Sequence, residues 1–294
     1  MLYELRCGHT AAKIDTLGAQ LRSLTWRGEE YLWQGSPETW SQTAPVLFPV
    51  VGRCKDDQIE IGGKFYPMPQ HGFAQNMEFR SGRHTACAIE LILENNTETK
   101  AMYPYDFLFV VAYTLTEKGL NVYFSVKNTG NRTLYYGLGG HPGFRCPMDG
   151  ENFTDWQLVF AREEPLLSIP VTPAGAIADV WTGGQKTAIP HSHGAVSLTR
   201  DFFAIDALIF ENIRSQSVAL QSRISGKGVR MRFSGFSMIA FWTLPHPDAK
   251  FLCIEPWQGI AHIENAGYAL SRKKGIVPLA PCHTDTKNFS IEIL

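Results

Sequence analysis

Apolar and polar positions along this chain recur in short runs with a period of two, the spacing that sends successive side chains to opposite faces of a β-strand. Residues 88–93 alternate in part, and residues 107–115 are apolar almost throughout, as in a buried strand. Glu117-Lys118-Gly119 then turns the chain into residues 120–126, where alternation resumes, and Asn128-Thr129-Gly130-Asn131 turns it again. This is an antiparallel meander. The same pattern continues through residues 156–160, 207–210, 218–220, 229–233, 238–244, 251–254 and 289–294. No stretch sustains a helical period, although a turn or two of helix fits residues 37–42 or 201–206. Many strands and few short helices predict an all-β fold of stacked antiparallel sheets, a large sandwich. No linker interrupts the composition and no repeat appears, so residues 1–294 read as one domain, with 161–194 its most loop-like insertion.

A length of 294 residues with 44% hydrophobic content is ample for a large buried core. The formal net charge of −1 argues against nucleic acid or an anionic membrane surface as partner and leaves a small, near-neutral ligand. The first residues lack the basic start and apolar run of a secretion signal, and no run approaches the roughly 18 apolar residues of a membrane span. The expectation is a soluble cytoplasmic protein. Its six cysteines contain no C-x-x-C spacing, which fits reduced thiols better than a disulfide framework or a zinc site.

Four places carry candidate chemistry. In Phe251-Leu252-Cys253-Ile254-Glu255-Pro256-Trp257, strand alternation puts Glu255 on one face with Phe251 and Cys253. A carboxylate in such company is paired or working, because burying a lone charge costs several kcal/mol or more. Pro256 is expected to stop the ladder and leave Glu255 at the strand's end. His141, wrapped in Gly139-Gly140-His141-Pro142-Gly143, is a candidate general acid or base, or else a turn histidine bonded to a carbonyl. His71 follows Pro67-Met68-Pro69-Gln70, whose prolines stiffen the approach. Arg53 ends an apolar segment and offers five fixed donors to hydroxyls or a carboxylate. His191-Ser192-His193 lies after Pro190 in loop-like sequence without a third ligand at sensible spacing, so no metal site is predicted.

Taken in order, Pro49-Val50-Val51-Gly52-Arg53, His71-Gly72-Phe73-Ala74, Asn128-Thr129-Gly130 leading to Gly140-His141-Pro142-Gly143-Phe144, and Glu255-Pro256-Trp257 resemble the aldose 1-epimerases, the galactose mutarotase-like family. Within it the chain looks most like the bacterial branch often encoded beside lactose and galactose utilisation genes. The resemblance implies a β-supersandwich, no metal or other cofactor, and a pocket for a cyclic sugar. It implies Glu255 as the base that takes the proton of the anomeric hydroxyl and His141 as the acid that protonates the ring oxygen. His71 and Arg53 match sugar-binding positions, and Asp206 is a further candidate to hold hydroxyls. Trp242, Phe241 or Trp257 would stack on the sugar ring. Burial is expected to raise the pKa of Glu255, with donors from nearby cations keeping its ionised form accessible.

Two departures stand out. Gln75 occupies a position where the family commonly has arginine, and Gly143-Phe144 replaces the bulkier residues that follow His-Pro in the classical mutarotases. Competing readings are a non-catalytic sugar-binding or sensing protein, since fold does not fix function, and a hexose 6-phosphate epimerase, for which Lys55, Arg145 and Arg53 would supply cations. A glycoside hydrolase needs a second carboxylate beside Glu255, and the sequence offers none as persuasive. Oligomeric state is not legible.

Overall fold

A computed structural model describes residues 1–148 and 150–294. Strands account for 45% of it and helices for 8%, which makes the fold all-β. A nine-stranded antiparallel sheet contains the predicted meander, with Ala88–Glu94, Phe107–Thr116 and Gly119–Asn128 paired in sequence and Thr284–Ile293 beside them. Along Phe107–Thr116 the buried positions are Phe107, Phe109, Val111, Tyr113 and Leu115, so only one face meets the core. A six-stranded sheet lies against it and includes Leu208–Glu211, Met238–Trp242, Phe251–Gln258 and Leu138–Gly140. Phe160 of the larger sheet meets Phe210 and Phe241 of the smaller at centroid distances of 5.9 and 5.7 Å. The main cluster of buried apolar residues fills the space between the sheets and draws on the chain from Leu5 to Ile293.

Three features depart from the pattern-based expectation. Leu2–Cys7, Thr10–Asp15, Gln20–Trp26 and Glu29–Glu30 form a four-stranded sheet that the alternation did not announce. Its inward positions include the small or polar Thr10 and Ala12, so the apolar signal is weak. An α-helix, Thr97–Met102, is too short for a period to show, yet Asn96 caps it: the Asn96 side chain accepts from the Thr99 amide at 2.9 Å, and Thr99 Oγ1 accepts from the Asn96 amide at 2.8 Å. Of the two predicted helical turns, residues 37–42 form only an irregular turn, while Arg200–Phe203 is a 3₁₀-helix.

The third departure concerns Pro256, which does not end its strand. Phe251–Gln258 runs through it, paired on one side with Met238–Trp242 so that Ala240 faces Glu255 and Ile239 faces Pro256. On the other side the neighbour is interrupted: Leu138–Gly140 pairs with Gln258 and Trp257, Gly143–Arg145 pairs with Cys253 to Phe251, and His141 lies in the gap. The Ile254 amide donates to the Pro142 carbonyl at 3.1 Å. By alternation, the missing N–H of Pro256 faces the same gap, where no ladder bond is lost.

Candidate active site

The gap between Leu138–Gly140 and Gly143–Arg145 sets His141 directly against Glu255. His141 Nε2 lies 3.1 Å from Glu255 Oε2, with Glu255 1% exposed and His141 8%. Trp257, two residues along the same strand face, donates its indole Nε1–H to the same carboxylate oxygen at 3.2 Å. Phe251 and Cys253 share that face, packed with Trp33, Trp40 and Trp242, while Leu252 and Ile254 point into the main core. The predicted facing of this strand is therefore the observed one.

Burial dominates the protonation of the pair. It raises the pKa of Glu255 well above the carboxylate range, and the charge of Asp206 adds to the rise; the Trp257 N–H works against it. The pKa of His141 is pushed well below that of free imidazole, by burial first and by His71 second. Among the described residues no lysine or arginine is at ion-pairing distance from Glu255, so the expected cationic support is absent. The indole takes that place.

His71 stands across from His141, with ring centroids 5.4 Å apart and planes at 82°. Its Nδ1 accepts from the Gly52 amide at 3.2 Å, so the neutral ring carries its proton on Nε2 and is a donor there. Burial and the Lys273 charge lower its pKa to about 4. The backbone of His71 is left-handed (φ 66°), and Gly72 after it also has positive φ (77°). A side chain on Gly72 would bring its Cβ within 2.2 Å of the Phe48 carbonyl oxygen, so this approach admits only glycine.

All six residues singled out in the sequence, Glu255, His141, His71, Arg53, Asp206 and Trp242, line one cavity of about 560 Å³. That volume suits a small-molecule ligand. Arg53 sits at its rim, with Nε 3.6 Å from Asp57 Oδ1 and Nη2 donating to Gln70 Oε1 at 3.4 Å. Asp206 follows the 3₁₀-helix Arg200–Phe203, accepts from the Ala207 amide at 2.7 Å, and has its pKa raised by burial. Trp242 meets His141 edge-on at 5.8 Å. Phe241 points the opposite way, into the core against Phe160 and Phe210, so it is not available for stacking on a ligand. Trp257 is engaged with the carboxylate. Residues 161–194 are largely loop, as expected, and supply Val171, Ala174, Gly175 and Ile177 to the cavity wall.

Trp40 was not anticipated. Its ring stacks on His141 at 5.1 Å and 28°, and Trp33 Nε1 fixes its carbonyl at 2.8 Å. The sequence signal for it lies at Gly143, because a Cβ there would come within 2.6 Å of the Trp40 ring. A small residue after His-Pro thus makes room for the stacked indole. Gln42 was also hidden, and it engages the Gln75 already noted: Gln42 Nε2 donates to Gln75 Oε1 at 3.1 Å, and Gln75 Nε2 to the Gln70 carbonyl at 3.0 Å. This amide chain stands where the family resemblance led to the expectation of an arginine.

His141, Cys253 and Glu255 bring one ligand atom each within 4.8 Å of one another, the spacing of a metal site. However, burial and the Glu255 charge hold the Cys253 thiol well above its ordinary pKa, and His141 and Glu255 already bond each other. The donor set fits an acid–base pair with an inert thiol behind it better than a metal cage. His191 and His193 belong to no such cluster among the described residues.

Comparison with known proteins finds relatives that match the whole chain. The chain is 32% identical to the plasmid-encoded protein LacX of Lactococcus lactis subsp. lactis over 303 aligned positions that cover all of both chains. A galactose mutarotase related enzyme from Lactobacillus acidophilus superimposes with a TM-score of 0.92 and 34% identity, covering 100% of this chain and 97% of that one. A galactose mutarotase-like protein from Lactobacillus casei also superimposes with a TM-score of 0.92, at 27% identity and full coverage of both chains. The sequence pattern of the family described as aldose 1-epimerase matches residues 1–263. This chain, with a buried imidazole–carboxylate pair lining a cavity of about 560 Å³, belongs to the aldose 1-epimerase family of isomerases.

Proposed function

We propose that this protein interconverts the α and β anomers of a free aldohexose, with Glu255 as base and His141 as acid. The observation that carries the reading is the 3.1 Å contact between the two groups inside a cavity that also holds His71, Arg53 and Asp206. In the productive state the pair carries one proton, on His141. Glu255 takes the proton of the C1 hydroxyl as His141 gives its own to the ring oxygen, and the bond between C1 and that oxygen breaks. The pair still holds one proton, now on Glu255, and C1 is an aldehyde. Rotation about C1–C2 and the reverse transfers close the other anomer. Ring opening thus ends on the neutral carboxylic acid and neutral imidazole, the forms that burial favours. His71 Nε2–H is oriented to bond an oxygen near the reacting carbon, Asp206 and Arg53 to hold outer hydroxyls, and Trp242 and Trp40 to pack on the ring's apolar face.

The cation content of the cavity favours an unphosphorylated sugar. Of the three cations considered for a 6-phosphate, only Arg53 lines it, and Asp57 and Gln70 already engage Arg53. Lys55 belongs to a neighbouring cavity. Asp206 is the second carboxylate that a glycoside hydrolase would need. The family assignment and the imidazole bonded to Glu255 favour isomerisation instead. All six cysteines are unbonded, in keeping with a reduced cytoplasmic setting, and no helix among the described residues is long and apolar enough to cross a membrane. The shared core from Leu5 to Ile293 supports a single domain.

Polarimetry or NMR on freshly dissolved α-glucose, α-galactose and glucose 6-phosphate, with spontaneous exchange subtracted, tests the assignment. Acceleration is expected with a free hexose, and stronger than with the phosphate. Folded protein that accelerates none of the three refutes the enzymatic reading, and tight sugar binding without acceleration identifies a binder.

A further inference from the structure

A second cavity, of about 270 Å³, shares only Ala261 with the first. The segment Arg53-Cys54-Lys55 divides the two: Arg53 lines the first, while Cys54 and Lys55 line the second. On the other side of the partition, the His262 amide donates to the Arg53 carbonyl at 2.8 Å. Lys55, Arg272, Lys273 and Lys274 all line the second cavity, and Glu60 is its one acid.

These cations differ in how they are satisfied. Lys274 Nζ is 2.9 Å from Glu211 Oε1 and lies over the Trp181 ring at 4.7 Å, so it has a partner. Lys55 Nζ has the Ala266 carbonyl at 3.4 Å and the face of Tyr268 at 4.9 Å. Lys273 Nζ has the Val51 carbonyl at 3.2 Å. Among the described residues, none of Lys55, Arg272 and Lys273 has a carboxylate at ion-pairing distance. A fully solvated lysine needs no partner, but Lys273 is only partly exposed, and burial lowers its pKa to about 8. Lys55 and Lys273, both partly covered, and the exposed Arg272 surround a small concave space without carboxylate partners, which attracts an anion, and their N–H groups are strong donors to an oxyanion. Ile59, Ile263 and the Tyr268 ring supply apolar wall for the remainder of a small ligand.

We propose that the cavity bounded by Lys55, Arg272 and Lys273 is an anion site for a phosphate group, separate from the acid–base pair. Its occupant is either free inorganic phosphate or the phosphate of a sugar ester. Ala261 borders both cavities, which permits a sugar phosphate to reach from one toward the other.

The test is calorimetric titration and thermal-shift measurement with inorganic phosphate and with glucose 6-phosphate, at ionic strength held constant with sodium chloride. The wild type is compared with the double variant Lys55→Gln/Arg272→Gln, two positions outside the sugar cavity. Wild-type protein is expected to bind phosphate at one site, and the double variant roughly tenfold or more weakly, from the loss of charged hydrogen bonds. The variant's melting temperature and mutarotation of unphosphorylated sugar should be unchanged. Saturating hexose separates the sources: phosphate binding that hexose leaves intact marks a free-anion site, and glucose 6-phosphate displaced by both hexose and phosphate marks an ester spanning the cavities. Wild-type protein that shows neither heat nor thermal shift with either anion overturns the proposal. So does equal binding by the double variant, which would indicate adventitious surface association. Loss of the mutarotase assignment would leave these binding results untouched, so the two claims fail separately.

Discussion

Replacing Glu255 with glutamine removes the proposed base while keeping its shape. In the native site Oε2 accepts from Trp257 Nε1 at 3.2 Å and meets His141 Nε2 at 3.1 Å. A glutamine carbonyl oxygen in the Oε2 position accepts both from the indole N–H and from the Nε2–H of a neutral imidazole, so both contacts survive. What is lost is the ability to take a proton. General-base catalysis contributes about 10²- to 10⁴-fold, equivalent to about 3–5 kcal/mol of barrier, and the anomerisation rate should fall by that factor. Stability should move the other way. Burial opposes ionisation of Glu255, and an amide carries no such penalty, so at pH 8 the variant should melt at the wild-type temperature or a few degrees higher. Polarimetry with the uncatalysed rate subtracted, paired with circular-dichroism melting, measures both. A well-folded Glu255→Gln protein that retains a third or more of the wild-type rate would show that the proton goes elsewhere, and the mechanism would fall.

Further predictions address the neighbours. Trp257→Phe deletes the one N–H that favours ionised Glu255, so the pH-rate limb governed by Glu255 should move to higher pH; an unshifted profile counts against the indole's role. The pKa of His71 is lowered from 6.5 to about 4 in the folded protein, so its neutral burial stabilises above the unfolded value and is lost as pH falls from 6.5 through 4. Accordingly, His71→Gln should remove up to about 3 kcal/mol of acid sensitivity in that window, read from urea unfolding at pH 7 and pH 4. Gln75→Ala breaks the amide chain at the rim without touching Glu255 or His141, so KM should rise several-fold with kcat nearly constant, and a fall in kcat alone would contradict this. His141→Asn should cost about 10²-fold or more in rate while sugar affinity, measured by titration, stays near wild type.

Strand positions with strong alternation were legible before any coordinates, and residues 107–115 and 156–160 fall within observed strands almost residue for residue. The N-terminal sheet was not, because Thr10 and Ala12 bury little apolar area yet still face inward. Glu255 was conspicuous because a carboxylate is costly among Phe251, Cys253 and Ile254. Trp40 was inconspicuous because tryptophan in a loop carries no periodic signal, and its role depends on the empty side of Gly143, more than a hundred residues away in the chain. The reading of Pro256 as a terminator failed for a related reason. A proline is tolerated inside a sheet wherever its missing N–H faces a break, and that break belongs to another segment.

By itself the sequence determined the class of fold and marked Glu255, His141, His71 and Arg53 as candidates. Alternation dictates sheets, and a carboxylate among apolar neighbours calls for an explanation, whereas the pairing of Glu255 with His141 rested on the family resemblance. Tertiary structure decided everything that depends on distance. It set His141 3.1 Å from Glu255, made an indole rather than a cation the partner of the ionised carboxylate, turned Phe241 inward, and placed Lys55 in a different cavity from Arg53. The physical reason is that desolvation and hydrogen bonding act over a few ångströms, between groups that the chain brings together from positions far apart in sequence.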